Sequence, residues 1–397
     1  MLNYLIGLIG ILVILGLAYV PSYDKKQVRF RPIWQLLILQ FLLAYAMLNA
    51  NVGQLLINFI VACFGQLLKF SSVGIDFVFG GLVNLNSFSF FFQVLMPIVF
   101  VSALIGILQY WKILGLIIRV LGFLLSKVNG MGRLESYNTV ASAILGQSEV
   151  FISIKKQLPL LPEKRLFTLC TAAMSTVSAS IIAAYMQLIE PRYVVTAVVL
   201  NLFGSCIIAS LINPYQVDPV DDVLSIKEEP QSFFEMLAEY ILDGFKIAVI
   251  VAAMLVGFIA LLELINAIFI QLFGISFQTC LGYLFAPLAF LTGIPWRSAI
   301  AAGSIMATKL LSNEFVAMQD MKSCLDTARC VFDARSNAIL SVFLVSFANF
   351  GSIGIICGCI KALDARQGNL AARFGFKLLY SASLVSFLSA TVVGLVF

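Results

Sequence analysis

Long apolar runs recur from one end of this chain to the other, and they constrain its fold more than any other feature. Runs that approach the roughly 20 residues of a membrane-crossing helix occupy residues 2–20, 33–48, 193–211, 247–262 and 380–397. Only 11% of the residues are charged, against about 25% in soluble proteins. Because lipid cannot satisfy backbone N–H and C=O groups, these runs must form helices. We therefore expect an all-α integral membrane protein.

Short clusters of basic residues between the apolar runs indicate how the chain is oriented. The first run lacks a basic start and a small-x-small cleavage pattern, so we interpret it as a retained helix and not a signal peptide. Basic loops favour the cytoplasm, which places the N-terminus and the C-terminus outside. The residues concerned are Lys25, Lys26, Arg29, Arg31, Lys155, Lys156, Lys164, Arg165, Lys361, Arg366, Arg373 and Lys377.

The eight cysteines carry no recognisable site. They lie mostly in apolar stretches without CxxC spacing, and the chain has no histidine. We therefore predict neither a disulfide framework nor a zinc site, and expect no cofactor.

Two carboxylates, Glu149 and Glu314, stand inside apolar segments, each close to an amide side chain. An ionisable group at membrane depth is costly and indicates a functional site. The first segment, residues 134–158, is flanked by charge on both sides, which predicts a re-entrant hairpin with its tip near Gly146. The second, residues 285–318, carries Asn313 and Glu314. The simpler alternative for either glutamate is a helix-end carboxylate that reaches the interface.

Each hairpin is followed by a span with small polar residues at its middle. Residues 166–188 contain a serine and threonine run at 175–180, and residues 338–360 contain a polar stretch at 346–352. A clean helix follows in each half. This repeated order predicts an inverted repeat with a binding site between the halves.

Two further segments differ from plain spans. Residues 55–83 include Gln66, Lys69 and Asp76, which predicts an interfacial helix, and the span at residues 90–110 carries Pro97, which predicts a kink. We divide the chain into N-terminal helices, an interfacial helix and the start of a scaffold (1–115), a first repeat (116–213), a cytoplasmic acidic linker with a scaffold helix (214–270) and a second repeat (271–397).

The side chains near the two glutamates suit a neutral substrate that donates hydrogen bonds. Amides and carboxylates bind hydroxyl and ring N–H groups well. Lys309 is the only basic residue within five positions of either glutamate, so an anionic substrate would lack partners. Phe347 could stack on a planar ring, although a phenylalanine there is more commonly a packing residue. The polar residues are Gln147, Ser148, Asn313, Asn349 and Ser352.

Three motifs carry a resemblance to a known family. They are Gly-Gln-Ser-Glu at residues 146–149, Ser-Asn-Glu-Phe-Val-Ala at 312–317 and Ser-Phe-Ala-Asn-Phe-Gly-Ser-Ile-Gly-Ile at 346–355. With these motifs in this order, and with residues 123–132 and 304–310, the chain resembles the concentrative nucleoside transporters, and the bacterial nucleoside permease branch in particular.

The resemblance implies an elevator-like nucleoside importer in the bacterial inner membrane. It implies a homotrimer whose protomers have eight spanning helices, two re-entrant hairpins and interfacial helices, divided into scaffold and transport domains. Expected substrates are uridine, cytidine and adenosine, and no nucleic acid partner is implied. By matched motif, the nucleobase would contact Gln147, Ser148, Glu149, Ile181 and Phe347, and the ribose would contact Glu314, Asn349 and Ser352.

One departure from the family bears on the coupling ion. Sodium-coupled members have an asparagine four residues before the glycine of the first hairpin motif, where this chain has Ser142. Leu145, Thr176 and Val177 would supply the remaining ligands, so sodium would lose a good carbonyl donor. We therefore expect proton coupling in preference to sodium coupling. Without a histidine, Glu149 and Glu314 are the candidate proton carriers. Gly351 also stands where some members have serine, which bears on the ribose contact at Ser352.

Two other classes of function remain open at this point. Paired intramembrane acids also line cation/proton antiporters and ion pathways. A membrane enzyme would need a nucleophile, base or metal set, and the sequence has no G-x-S-x-G or HExxH motif. We therefore predict a transporter and not an enzyme.

Overall fold

The computed structural model describes residues 2–80, 89–217, 231–327 and 330–397, and these ranges are almost entirely helical. The prediction of an all-α fold is confirmed. The helices are α1 (Leu2–Tyr19), α2 (Phe30–Asn49), α3 (Asn51–Phe79), α4 (Pro97–Tyr110), α5 (Ile113–Asn129), α6 (Arg133–Ile144), α7 (Glu149–Ser153), α8 (Glu163–Ser175), α9 (Ala179–Tyr185), α10 (Pro191–Ile212), α11 (Phe233–Phe273), α12 (Phe277–Leu291), α13 (Trp296–Leu311), α14 (Glu314–Asp326), α15 (Ala334–Leu344), α16 (Phe350–Leu363), α17 (Ala365–Arg373) and α18 (Gly375–Val396).

Within the described ranges, seven helical segments are long and apolar enough to cross a membrane. They include α2, α10, α11 and α18, which match four of the five predicted runs, and α1 is a shorter apolar helix. Helix α10 and helix α18 are 72% and 78% buried over their apolar windows, whereas α11 is 17% buried, so α11 presents most of its surface outward. The buried helices form the core that supports the polar site.

Helix α3 contains most of the segment for which the sequence predicts an interfacial position. It is a continuous helix of 29 residues that is itself long and apolar enough to span a membrane, and its apolar window is only 11% buried. Gln66, Lys69 and Asp76 do not interrupt it because all three lie on its exposed surface. Residues 81–83 of the predicted interfacial segment lie outside the described residues, and the interfacial placement stays a prediction.

The predicted distortion at Pro97 takes the form of a π-helical turn over Phe91–Leu95. Pro97 is the first residue of α4, and the Met96 N–H donates to the carbonyl of Phe91, five residues earlier. Proline has no backbone N–H and cannot donate a helical hydrogen bond. The wider π-helical turn accommodates this missing bond before α4 begins.

The two segments predicted to be re-entrant hairpins each contain two helices separated by a short break, and their re-entrant placement stays a prediction. The first consists of α6 and α7, and its break contains Gly146 with φ +113°, a conformation that favours glycine. The second consists of α13 and α14, which meet at Ser312 and Asn313. The predicted second segment was too long, because Pro287 belongs to the preceding helix α12, which is bent by 115° relative to α13.

The two polar-interrupted spans are broken helices. Helix α8 ends at Ser175 and α9 resumes at Ala179, while α15 ends at Leu344 and α16 resumes at Phe350. The breaks touch each other, since the Phe347 N–H donates to the Thr176 carbonyl over 3.1 Å. Unwound backbone at such a depth is tolerated where it is enclosed by protein, and both of these residues are buried.

A buried ion pair fixes the base of the first hairpin. Arg165 of α8 donates to both carboxylate oxygens of Glu135 of α6, at 2.6 and 3.0 Å. The Tyr215 hydroxyl adds a bond of 2.9 Å to the same carboxylate. Burial, together with the Glu135 charge, raises the pKa of Tyr215 well above its usual value, so its hydroxyl stays a donor.

The prediction about the cysteines was wrong for two of the eight. Cys324, in the last turn of α14, forms a disulfide with Cys330 beyond the end of this helix, with Cα atoms 5.3 Å apart. The chain turns back at this point, and the Cys330 N–H donates to the Cys324 carbonyl over 3.2 Å. A turn of this kind brings the thiols together without any CxxC spacing.

Most of the predicted acidic linker lies outside the described residues. Pro214 to Val217 are described, and residues 218–230 are not. The acidic side chains Asp218, Asp221, Asp222, Glu228 and Glu229 all fall in that second range.

Candidate functional site

Glu314 lies at the start of α14 and is only 4% exposed. Asn313 caps this helix, and its Oδ1 accepts from the Val316 N–H over 3.0 Å. The Glu314 carboxylate accepts from the Tyr185 hydroxyl at Oε1, 2.8 Å, and from Asn349 Nδ2 at Oε2, 3.0 Å. The second hairpin is thereby joined to both broken helices at one carboxylate.

Asn349 has two partners at once because it caps α16. Its Oδ1 accepts from the backbone N–H of Ser352 over 2.8 Å, while its Nδ2 donates to Glu314. Asn349 and Ser352 are 4% and 1% exposed. The structure therefore brings together the three residues predicted to contact ribose.

Helix dipoles reinforce this arrangement. Glu314 stands in the first turn of α14, and Asn349 connects it to the first turn of α16. Helix N-termini carry partial positive charge, which stabilises a carboxylate placed beside them. The bonds from Tyr185 and Asn349 use one lone pair on each carboxylate oxygen, which leaves capacity for a further donor, such as a substrate hydroxyl.

Sequence reasoning did not identify Tyr185. It ends the short helix α9, and its ring packs edge-on against Phe315 with centroids 4.9 Å apart. A tyrosine in a span that is otherwise apolar or small was the available indication, since a buried phenol usually needs a partner. Its partner is distant in sequence, so the pairing itself could not be predicted.

The tip of the first hairpin lies against α9 and α16. A Cβ atom on Gly146 would come within 2.9 Å of Glu149 Oε2 and 3.0 Å of Ser178 Cβ. The Ser148 carbonyl accepts from Cys359 Sγ over 3.3 Å. Gln147 is 9% exposed, and in the described part of the chain its buried Oε1 has no hydrogen-bond partner. That amide oxygen is available to a ligand's N–H group.

The two glutamates are not directly joined. Across residues 2–80, 89–217, 231–327 and 330–397, no hydrogen bond connects Glu149 with Glu314, and Glu149 is half-buried where Glu314 is buried. Ile181 and Phe347 are each 6% exposed and belong to the hydrophobic core. The backbone N–H of Phe347 donates to the Thr176 carbonyl, in the break between α8 and α9.

The candidate coupling-ion residues line the first hairpin and the first break. Ser142 Oγ donates to the Asn138 carbonyl over 2.6 Å, and Thr176 Oγ1 donates to the Ala172 carbonyl over 3.1 Å. Both residues are fully buried, as is Val177, while Leu145 is half-buried. The hydroxyl protons are used within the helices, which leaves oxygen lone pairs for an ion or a proton donor.

Three family models match successive parts of the chain. The C-terminal part of the Na+ dependent nucleoside transporters matches residues 193–394, and the N-terminal part matches residues 9–82. A nucleoside recognition family, the gate, matches residues 91–192.

Two bacterial relatives match along nearly their full length. The purine nucleoside transport protein NupG of Bacillus subtilis is 36% identical over 396 residues, which covers 99% of each chain. The putative nucleoside permease NupX of Escherichia coli is 32% identical, covering 98% of this chain and 97% of the relative. These relatives are named as transporters and permeases, which confirms the prediction that the chain is not an enzyme.

Solved structures agree with the sequence relatives. CNTnw in an inward-facing substrate-bound state superposes with a TM-score of 0.93 at 30% identity, covering 99% of this chain and 98% of the other. A doubly substituted CNTnw in an outward-facing state gives 0.94 at 29% identity, covering 100% and 98%. This chain is a member of the concentrative nucleoside transporter family.

Proposed function

We propose that the protein imports nucleosides across the bacterial inner membrane by ion-coupled symport, with an elevator-like alternation between inward-facing and outward-facing states. The observation that carries the proposal is the joining of Tyr185, Glu314 and Asn349, where a hairpin and two broken helices meet. This cluster offers a buried, oriented carboxylate to a neutral, hydroxyl-rich substrate.

The proposed site has a sugar end and a base end. Glu314, Asn349 and Ser352 bind the ribose hydroxyls, supported by their contacts with one another. Gln147, Ser148 and Glu149 face the nucleobase, and Ile181 and Phe347 pack against it. The unpartnered Oε1 of Gln147 supports this assignment, because a base amino or ring N–H group could complete it.

The substrates are purine and pyrimidine nucleosides such as adenosine, uridine and cytidine. One relative is named as a purine nucleoside transport protein and another as a putative nucleoside permease, which supports testing both classes.

Protons are the proposed coupling ion, carried by Glu149 or Glu314. The family descriptions are those of Na+ dependent transporters, so this chain would depart from the usual ion. The reason is Ser142, whose hydroxyl already donates within its own helix and offers sodium a weaker ligand than an amide carbonyl.

The proposed topology places both termini outside and the assembly is a homotrimer. The Cys324–Cys330 disulfide supports this orientation, because disulfides persist in oxidising compartments. The chain crosses the membrane twice between the disulfide and the C-terminus, first through the broken span of α15 and α16 and then through α18. The disulfide and the C-terminus therefore lie on the same side of the membrane.

Uptake of labelled uridine and adenosine into proteoliposomes tests the proposal. An inward proton gradient without sodium is compared with an inward sodium gradient at equal pH. Accumulation with protons alone supports the coupling assignment, and Ser142→Asn is then expected to add sodium dependence. Accumulation only with sodium overturns the proton assignment and retains the substrate. Proton or cation flux with no nucleoside uptake would favour an ion pathway instead.

A further inference from the structure

Lys309 is the most unusual charged residue of the hydrophobic interior. It lies in α13, close before the tip of the second hairpin, and it is completely buried. Its ammonium group donates to the Phe343 carbonyl over 2.6 Å, to Ser346 Oγ over 2.7 Å and to Ser386 Oγ over 3.1 Å. A lysine has three N–H donors, so all of them are used.

The surroundings of this ammonium resemble a cation site more than an ion pair. Among the described residues, no carboxylate lies within 4 Å of its nitrogen. Its direct contacts are with oxygen dipoles and the Phe343 ring, whose centroid is 4.5 Å away, and the Glu314 carboxylate acts on it only over a longer distance. Burying a charge without a carboxylate partner is costly, which favours a functional reason for its retention.

The ammonium also sits at the break of the second broken helix. Phe343 precedes the end of α15, and Ser346 lies inside the break. Asn201 of α10 donates to the neighbouring Val345 carbonyl over 2.6 Å. The last carbonyls of α15 are thereby held from two sides. Asn349, which orients Glu314, follows Ser346 within the same break.

The first half of the chain offers a corresponding place without a basic side chain. There, Ser142 precedes the tip of the first hairpin, and Thr176 and Val177 form the break of the first broken helix. These are the candidate ion ligands described above. In the second half, the equivalent position between hairpin and break is taken by Lys309.

We propose that the Lys309 ammonium is a tethered cation that fills, in the second half of the transporter, the place that corresponds to the candidate ion ligands Ser142, Thr176 and Val177 of the first half. It positions the break so that Asn349 and Glu314 stay oriented without a bound metal ion. The comparison with the first half rests on the proposed function, whereas the cation site around Lys309 does not.

Chemical rescue tests the proposal directly. Lys309→Ala removes the side chain beyond Cβ, and n-propylammonium replaces the missing atoms with their charge. Binding of labelled uridine to the purified protein in detergent needs no gradient, so the added amine cannot act by collapsing one. We expect the variant to bind uridine about tenfold or more weakly, and we expect n-propylammonium to restore most of the loss.

Two controls separate charge from packing. The neutral alcohol 1-propanol fills similar space and is expected to restore nothing. Lys246→Ala shortens an exposed lysine of α11. This variant is expected to bind uridine with normal affinity, and n-propylammonium is expected to leave that affinity unchanged. Lys309→Met keeps the bulk without the charge and is expected to bind as weakly as the alanine variant.

A second readout does not depend on nucleoside binding. n-Propylammonium is expected to raise the melting temperature of Lys309→Ala and not that of the wild type, because only the variant has an empty cation site. Wild-type protein that binds no nucleoside would overturn the proposed function while this stabilisation still supports the cation site. The inference would be overturned by any of three results. These are equal rescue of Lys309→Ala by 1-propanol, no effect of the amine on the melting temperature of Lys309→Ala, and unchanged uridine affinity in Lys309→Met.

Discussion

Removing one hydroxyl from Tyr185 should weaken nucleoside binding without disturbing the fold. In Tyr185→Phe, Glu314 loses the donor at 2.8 Å and keeps only Asn349 at 3.0 Å. The ring contact with Phe315 remains, since phenylalanine preserves it. The carboxylate is then held by one of its two oxygens and can rotate away from the ribose.

The expected size follows from the charge and burial of the acceptor. A hydrogen bond to a charged group contributes roughly 1.5–3 kcal/mol. Glu314 is buried, so water cannot readily replace the lost donor. Each 1.4 kcal/mol corresponds to about tenfold in affinity, so we expect the Kd for uridine to rise by about tenfold or more.

Equilibrium binding of uridine and 2′,3′-dideoxyuridine is the assay. The dideoxy compound lacks the ribose hydroxyls that Glu314 would bind, so Tyr185→Phe should change its affinity much less. Tyr193→Phe is the matched control, because Tyr193 is also buried but its hydroxyl accepts from Arg192 at 2.8 Å, in a separate cluster. That control should leave both affinities nearly unchanged.

The reasoning is refuted if folded, monodisperse Tyr185→Phe binds uridine as the wild type does. It is also refuted if the two ligands lose affinity equally, because the hydroxyl would then act on the fold and not on ribose recognition.

Three further predictions concern the hairpins. Arg165→Met leaves Glu135 buried without its bidentate partner, and we expect a loss of about 3–5 kcal/mol in stability, measured by thermal unfolding in detergent. Gly146→Ala places a side chain in a left-handed conformation beside the site, so nucleoside counterflow should fall sharply while the protein stays folded. Cys324→Ala opens the disulfide, costs about 2 kcal/mol by loop entropy, and exposes Cys330 to an impermeant maleimide added outside cells.

Each of these predictions has a contradicting result. An unchanged melting temperature in Arg165→Met would show that the ion pair does not hold the hairpin base. Normal counterflow in Gly146→Ala would show that the tip tolerates a Cβ atom. Labelling of Cys330 in unreduced wild-type protein, or only from the inside of inverted vesicles, would contradict the disulfide or its orientation.

Local patterns predicted the elements that build the site. The breaks of both broken helices and both hairpin tips follow from polar or glycine residues interrupting apolar runs, which is a feature of neighbouring residues. Glu314 and Asn349 were identified because an acid or amide in such a segment is costly. Their direct contact agrees with the family resemblance, which implies that both residues contact the ribose.

The sequence could not predict which side chains pair when they are far apart along the chain. Tyr185 and Glu314 meet through tertiary packing of α9 on α14, and no spacing rule links them. The three partners of Lys309 come from α15, from the break that follows it and from α18. The sequence could therefore identify the lysine but not the residues that surround it.

A structure of the protein with bound 5-iodouridine would test the central claim most directly, because the iodine atom locates the base without ambiguity. The account predicts the iodine beside Gln147, Ser148 and Glu149, with the ribose hydroxyls on Glu314 and Asn349. Iodine in the cavity of about 210 Å³ lined by Gln187, Glu190, Met321, Asp326 and Asn337, with the Glu314 cluster unoccupied, would contradict it.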